Sequence, residues 1–232
     1  MQTETIKGMV INLGADLCGV ASVERFSGAP KGFNPRDIYV KAKSVLVFAK
    51  RVPEEALFAE SCIPYTHVNT LVTQEVDRLA LTLSLHLEDR GIANVMVPSD
   101  DPYEHWDPAQ HYGRAILSLR HAGYLAGLGK LGKNTLLINE KYGNMIQIGA
   151  LLIADALDQD EMADYEVCPE ACSICLKNCP TNALDGTTVK QKACRPLSVH
   201  KTEKGYVLKK CWECRKVCPN ALGLRDQYGR PK

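Results

Sequence analysis

Apolar residues recur at three- and four-residue intervals over 3–15, where Ile6, Met9, Val10 and Leu13 share one face. That period predicts a first helix, closed by Gly14. The stretch 17–22 reads as a short strand, and the unbroken apolar run 44–49 as a buried one. The longest periodic stretch is 67–90, with Val68, Leu71, Val72, Val76, Leu79, Leu83 and Leu87 as its apolar stripe. Gly91 is its stop. The intervening segments 27–37 and 51–66 read as loops, the former rich in Gly and Pro. A strand is expected at 93–97, then a polar and aromatic connection over 98–113. A helix over 114–125 would turn Ile116, Leu119 and Ala122 inward, with strands following at 135–139 and 145–154. Residues 155–166 are acidic and read as a linker. The pattern predicts an α+β unit over 1–160 that holds a cofactor or substrate, and a smaller unit over 161–232.

The smaller unit is defined by cysteine. Eight of the ten cysteines lie between Cys168 and Cys218, in two runs that each end C-x2-C-x3-C-P. The first contains Cys168, Cys172, Cys175 and Cys179, the last followed by Pro180. The second contains Cys211, Cys214 and Cys218, followed by Pro219, with Cys194 upstream. In two-cluster bacterial ferredoxins the last cysteine of each run ligates the other cluster. By that crossover one 4Fe-4S cluster takes Cys168, Cys172, Cys175 and Cys218. The second takes Cys179, Cys194, Cys211 and Cys214. Structural zinc is the alternative for C-x2-C pairs, but zinc has no need of a proline after the last ligand or of eight thiolates. Two departures stand out: the first spacing is C-x3-C, and sixteen residues separate Cys194 from Cys211, so a loop is expected there. Cys18 and Cys62 remain, Cys18 reading as a small buried hydrophobe.

Charge is segregated. Lys and Arg minus Asp and Glu gives −1 for 1–150, −7 for 151–185 and +9 for 186–232. The basic segment suits anionic iron–sulfur cubes, whose charge it offsets, better than nucleic acid. No apolar run reaches the length of a membrane span. Met1-Gln-Thr-Glu-Thr-Ile-Lys lacks the basic and apolar regions of a secretory leader. The expectation is a cytoplasmic protein, off the membrane, whose cysteines hold metal.

One glycine-rich stretch, Gly127-Leu128-Gly129-Lys130-Leu131-Gly132-Lys133-Asn134, matches G-x-G-x-x-G and nearly matches a P-loop. Both nucleotide motifs need a strand before and a helix after. Here the order is reversed. A tight helix-to-strand turn and a close backbone approach to some other cofactor are the two remaining readings.

These residues carry a family resemblance. The stretch 119–155, with Leu119-Arg120-His121-Ala122-Gly123, the glycine loop through Asn134-Thr135, Tyr142-Gly143 and 151–155, resembles the epoxyqueuosine reductases, as do the cysteine runs. The N-terminal stretches 14–20 and 42–47 also fit. Those enzymes are related to corrinoid-dependent reductive dehalogenases. The resemblance implies a nitroreductase-like α/β sandwich that holds cobalamin, and a two-cluster ferredoxin domain that reduces it. The family finishes the tRNA base queuosine. The chain departs from it in ending thirteen residues past Pro219, without the family's helical-repeat region. Gly113 stands near the family's proton-donating Asp, with Asp107 close by, and Lys130 replaces an aromatic of the glycine loop.

Two functions are carried forward. The first is an epoxyqueuosine reductase-like iron–sulfur oxidoreductase that passes low-potential electrons to a small-molecule or corrinoid acceptor, cobalamin first and flavin second. Its pocket is expected between residues 99–114 and the glycine loop. His105, Arg114, Gly127, Leu128, Gly129, Lys130, Gly132, Lys133 and Asn134 would hold the cofactor, and Asp107 or Tyr112 would supply a proton. The second is a non-catalytic ferredoxin-type carrier that docks a larger redox partner. A ferredoxin or flavodoxin is the expected donor, nucleic acid is not an expected partner, and the oligomeric state is left open.

Overall fold

The computed structural model describes residues 2–225. Its centre is a four-stranded antiparallel sheet in the order β1-β2-β8-β3, formed by β1 (Leu17–Ser22), β2 (Ser44–Arg51), β8 (Ile146–Ile153) and β3 (Asn94–Val97). Strands β2 and β8 are apolar over 45–49 and 148–153 because both of their faces are covered there. Along β2 the residues alternate between two cores. Val45, Val47 and Ala49 join Ile148, Ala150 and Leu152 on one face, while Leu46 and Phe48 join Leu151 and Ile153 on the other. The second face is closed by α1 (Thr3–Asn12), through Ile6 and Val10, and by α3 (Cys62–Glu88), through Val76, Leu79, Leu83 and Leu87. The first face is closed by α4 (Leu119–Leu125), through Ala122. The result is a mixed α/β sandwich with the sheet as its middle layer.

Gly149, at the middle of β8, is a packing requirement. A Cβ there would stand 2.6 Å from both Phe48 and Val76, so the missing side chain is what lets α3 and the Phe48 ring meet the sheet.

Several expectations need correcting. Helix α3 starts at Cys62, not 67, capped by Ser61, whose hydroxyl accepts from the Ile63 N–H. Pro64 is tolerated there because a proline in the first turn removes an N–H that has no intrahelical partner anyway. Leu71 is exposed, and the stripe of α3 runs instead through Tyr65, Val76, Leu79, Ala80, Leu83 and Leu87. The connection 98–113 contains a hairpin of β4 (His105–Asp107) and β5 (Tyr112–Arg114). Arg114 therefore belongs to a strand, and the helix expected from 114 begins only at Leu119.

The glycine loop has the reversed order that its flanking sequence indicated: α4 precedes it, and the short strands β6 (Lys130–Leu131) and β7 (Leu137–Ile138) pair across it. A classical nucleotide loop is excluded on topology. Past β8, the extended acidic segment is tied back by Asp160, whose carboxylate accepts from the Val20 N–H at 2.8 Å and from Lys7 Nζ at 2.6 Å. The cysteine-rich segment carries α5 (Ile174–Lys177), α6 (Gln191–Ser198) and α7 (Glu213–Lys216). Between Cys194 and Cys211 the expected loop contains a second hairpin, β9 (Val199–Lys201) with β10 (Val207–Lys209). Another short helix, α2 (Pro35–Ile38), sits on the rim.

Candidate functional site: two thiol sets and a cleft

All ten cysteines are free thiols. The eight of the motif segment fall into two electrostatically coupled sets. Burial raises the Cys218 thiol to about 11, and Cys168, Cys175 and Cys172 push it the same way. Burial also raises Cys175, which feels Cys168 and Cys172. In the other set burial raises Cys214 to about 11, with Cys194, Cys211 and Cys179 adding to it against the lowering effect of Arg215. Cys211, raised first by burial, feels Cys194 and Cys179. Each set thus takes three cysteines from one motif and one from the other, as ferredoxin crossover requires. Among the described residues no three His, Cys, Asp or Glu side chains converge on one ion position.

Backbone donors face the sulfurs. The Lys133 N–H points at Cys168 Sγ at 3.5 Å and the Ala183 N–H at Cys179 Sγ at 3.3 Å. For Cys179 burial opposes ionisation, but the N–H groups of Ala183, Thr181 and Leu184 and the Thr181 hydroxyl outweigh it, and its pKa falls. Such N–H···S contacts stabilise thiolates and tune any cluster they hold.

The glycine loop binds the first set to the sandwich. Lys133 Nζ donates to the carbonyls of Pro169, Glu170 and Cys172 at 3.1, 2.7 and 2.9 Å. Buried Asn134 donates to the Cys214 carbonyl at 3.0 Å. Leu128 is in the core. The glycines allow close backbone approach, but to this chain itself. A Cβ on Gly127 would lie 2.2 Å from the Glu161 carbonyl, and one on Gly129 2.4 Å from that of Ile138. Gly132 abuts the Ile138 side chain, and Lys130 pairs with Ile138 across β6–β7.

The second set is held by a different group. Trp212 stacks on Tyr65 with centroids 4.5 Å apart and donates from Nε1 to the Leu57 carbonyl at 3.1 Å. The β9–β10 hairpin reaches α3, where the Lys209 N–H donates to Thr66 Oγ1 at 2.9 Å. Arg215 donates to the Asn144 carbonyl, and Asn144 Nδ2 to the Arg215 carbonyl at 3.2 Å.

A cleft of about 290 Å³ lies where α3, β8, the start of α4 and β10 meet, and Cys211 of the second set forms part of its wall. Arg120, Arg215, Asn144 and Gln147 face it, together with Lys209, which pairs with Asp100 at 3.6 Å. Arg120 is solvent-exposed through the hollow of the cleft. Desolvation by the protein packed around it lowers its pKa, Arg215 acts in the same direction, and the thiols Cys214 and Cys194 oppose.

Of the segment 99–114 expected to border the pocket, Ser99 and Asp100 line the cleft. His105, Asp107, Tyr112, Arg114 and Lys130 do not. His105 and Arg114 pack on Phe33, the guanidinium 3.9 Å from its ring centroid. The Asp107 carboxylate accepts from the Ala109 and Gln110 N–H groups and caps the hairpin turn, and Tyr112 is exposed beside it. The hairpin docks on α6 instead: Gln191 brackets the Gly113 backbone with two 3.0 Å bonds, and Arg195 lies 5.2 Å from the ring centroids of both Tyr103 and Trp106. The sequence reading gave Arg120, Asn144 and Arg215 no role. Only the adjacency of Arg215 to Cys214 and of Arg120 to the inward Leu119 hinted at one.

The fold is a mixed α/β sandwich joined to a cysteine-rich segment, and solved structures share it. It superposes on a catabolic reductive dehalogenase with a TM-score of 0.70 at 18% identity, over 93% of this chain and 31% of that one. An epoxyqueuosine reductase from Streptococcus thermophilus gives a TM-score of 0.64 at 19% identity, over 96% of this chain and 68% of that one. In sequence the chain is similar to epoxyqueuosine reductases. It is 31% identical to that of Staphylococcus aureus over 124 residues, which are 48% of this chain and 32% of the other. With the Pseudomonas aeruginosa enzyme the identity is 36% over 106 residues, 40% and 29% of the two chains. The matched stretches span about a third of those relatives. No family model matches the chain. Among the described residues, no helix is long and apolar enough to cross a membrane.

Proposed function

We propose that this chain is an iron–sulfur oxidoreductase that passes electrons through two 4Fe-4S clusters to an acceptor in the cleft beside Cys211. On this reading residues 1–160 form the acceptor-binding unit and residues 161–232 the ferredoxin-like unit. Cys168, Cys172, Cys175 and Cys218 hold one cluster, and Cys179, Cys194, Cys211 and Cys214 the other. The observation that carries the reading is that Cys211 of one thiol set forms part of the wall of a cleft of ligand size that the sandwich also lines. The names of the relatives, all reductases or reductive dehalogenases, support an enzyme rather than a passive carrier.

Bound clusters would supply one-electron steps at low potential. The chain's own residues do the rest. Lys133 and Asn134 fix the cluster loops on the sandwich, Trp212 and Asn144 hold the Cys211–Arg215 stretch against the cleft, and Arg120 and Arg215 set a positive potential inside it. A related reductive dehalogenase is described as B12-dependent, which makes cobalamin the leading cofactor for titration and flavin the second. The enclosed volume lies at the lower end for small-molecule pockets and below what a corrinoid fills, so the cleft itself fits a small organic acceptor. One solved relative is described with a tRNA stem loop, and we do not extend that partner to this chain. A ferredoxin or flavodoxin remains the donor on this reading, drawn to the basic 186–232 segment.

The test is anaerobic purification with iron and acid-labile sulfide analysis, followed by titration of the reduced protein with cobalamin and with flavin. About eight irons per chain are expected. Zinc in place of iron would sink the reading. Two reducible clusters with neither cofactor bound would leave a small acceptor as the electron sink, to be sought by oxidation of the reduced clusters.

A further inference from the structure

We infer that the cleft beside Cys211 contains an oxyanion subsite, built from Arg120 and Arg215, that binds the carboxylate or phosphoryl end of a small organic molecule. This names a ligand class for the proposed acceptor site, so its redox meaning rests on the reading above, while the binding itself rests on the cleft alone.

Among the described residues neither guanidinium has a carboxylate partner. The ion pairs among the described residues involve Lys7, Arg36, Arg51, Arg78 and Lys209, and not these two arginines. Arg120 uses only Nη1, which donates to the Thr135 carbonyl at 2.9 Å and the Thr135 hydroxyl at 3.1 Å. Thr135 has a φ of 62°, an αL conformation that aims its carbonyl at the arginine. The fork is thereby held in place while Nε and Nη2 keep their donors. Arg215 likewise uses only Nη1, toward the Asn144 carbonyl and, at 3.8 Å, toward Met145 Sδ. Its other donors have no partner among the described residues. The two cations are near enough to act on each other, an arrangement that costs free energy unless an anion lies between or beside them.

Asn144 lines the same cleft and donates from Nδ2 to the Arg215 carbonyl at 3.2 Å, which ties the backbone of the second arginine to the cleft wall. A molecule with an oxyanion at one end would satisfy both arginines. Charge compensation of the adjacent thiolates is the competing role for the arginines. It accounts for the proximity of Arg120 to Cys214 and Cys194, but not for donors that open into a cleft.

The experiment is calorimetric titration of the anaerobically purified full chain, its iron content recorded, in low-salt buffer free of phosphate. Inorganic phosphate and benzoate are the two probes. Saturable one-to-one binding of at least one probe is expected. Arg120→Gln should weaken it at least tenfold, and Arg120→Lys, which keeps the charge but not the fork, should fall between the two. Binding of phosphate alone would assign a phosphorylated ligand, and of benzoate alone a carboxylate. No binding of either, or equal affinity in Arg120→Gln, would overturn the subsite. Should Arg120→Gln fail to fold, Arg120→Lys and a chloride competition on the wild type still decide, because a site built on paired cations must lose affinity as chloride rises. Iron-free protein that binds a probe would keep the subsite and sink the electron-transfer reading. Eight irons without probe binding would do the reverse.

Discussion

Replacing Lys133 by Met should loosen one thiol set and spare the other. The ammonium of Lys133 satisfies three carbonyls, of Pro169, Glu170 and Cys172, within 3.1 Å. All three lie in the loop that presents Cys168 and Cys172. Hydrogen bonds to a charged donor contribute about 1.5–3 kcal/mol each. Three bonds shared by one partly exposed ammonium do not add fully, and its desolvation offsets part of the gain. A net cost of about 2–3 kcal/mol for loop closure follows. The methionine keeps the length of the stem, so packing changes little. At 1.4 kcal/mol per factor of ten, the open-loop population should rise about thirty- to a hundredfold. The assay is iron release to a ferrous chelator under anaerobic conditions, followed at two wavelengths against the wild type. Half of the iron should leave faster by that factor, and the half held by Cys179, Cys194, Cys211 and Cys214 at the wild-type rate. Equal acceleration of both halves would refute the assignment of Lys133 to one set. Unchanged release of all the iron would refute the anchoring role altogether.

Gly143→Ala should undock the segment after Cys218. Gly143 has a φ of 57°, and a Cβ there would meet the Ala221 and Asn220 carbonyls at 2.2 and 2.3 Å, backbone atoms that cannot yield; a loss of about 3 kcal/mol or more is expected by thermal unfolding. Gly149→Ala drives a methyl into Phe48 and Val76 and should cost about 1–3 kcal/mol, read as a lower Tm with the iron content unchanged. Asp160→Asn tests the linker tie. Burial alone would lower the Lys7 pKa, but Asp160 and Glu4 outweigh it and raise it above 10.5. A raised lysine pKa contributes stability that is complete below 10.5 and lost as pH climbs through the folded value. The Tm gap between wild type and Asp160→Asn should therefore be constant from neutral pH to about 9 and narrow above 10.5; a gap that widens there would refute the ion pair.

Much of the sandwich was legible because its burial is written in local periods. The unbroken apolar run of β2 announces a strand covered on both faces, and the stripe of α3 announces a helix covered on one. The expected crossover of the thiol sets rests on another signal: repeated C-x2-C-x3-C-P spacing constrains which sulfurs can meet. The candidate site was not legible. Its walls come from α3, β8, α4 and β10, far apart in sequence, and no local period marks a residue as facing a void. Arg120 looks like any polar residue on a short helix until Thr135, fifteen positions on, folds back to hold it. Asp107 misled for the converse reason. A carboxylate among aromatics resembles a catalytic group, but an Asp two and three residues before free N–H groups is also the usual closer of a turn.

The placement of Cys211 gives the proposed relay a direction. Each thiol set borrows one cysteine from the other motif, so α5 and α7, which carry the crossing stretches, must pack together, and they do. Two clusters so interleaved are neighbours whichever way electrons run. The surroundings break the symmetry. The first set is covered by the glycine loop and by Ile138, Val167 and Leu224, an apolar lining. The second set borders the cleft through Cys211 and stands near Arg120 and Arg215. Cations beside a cluster favour its reduced, more negative state. With two guanidiniums beside it against the single ammonium of Lys133 beside the first, the second set is then the better electron sink of the pair, and it is also the one in contact with the acceptor site. On the proposed reading electrons therefore leave from the Cys211 set, and the set anchored by Lys133 is the one that passes them on.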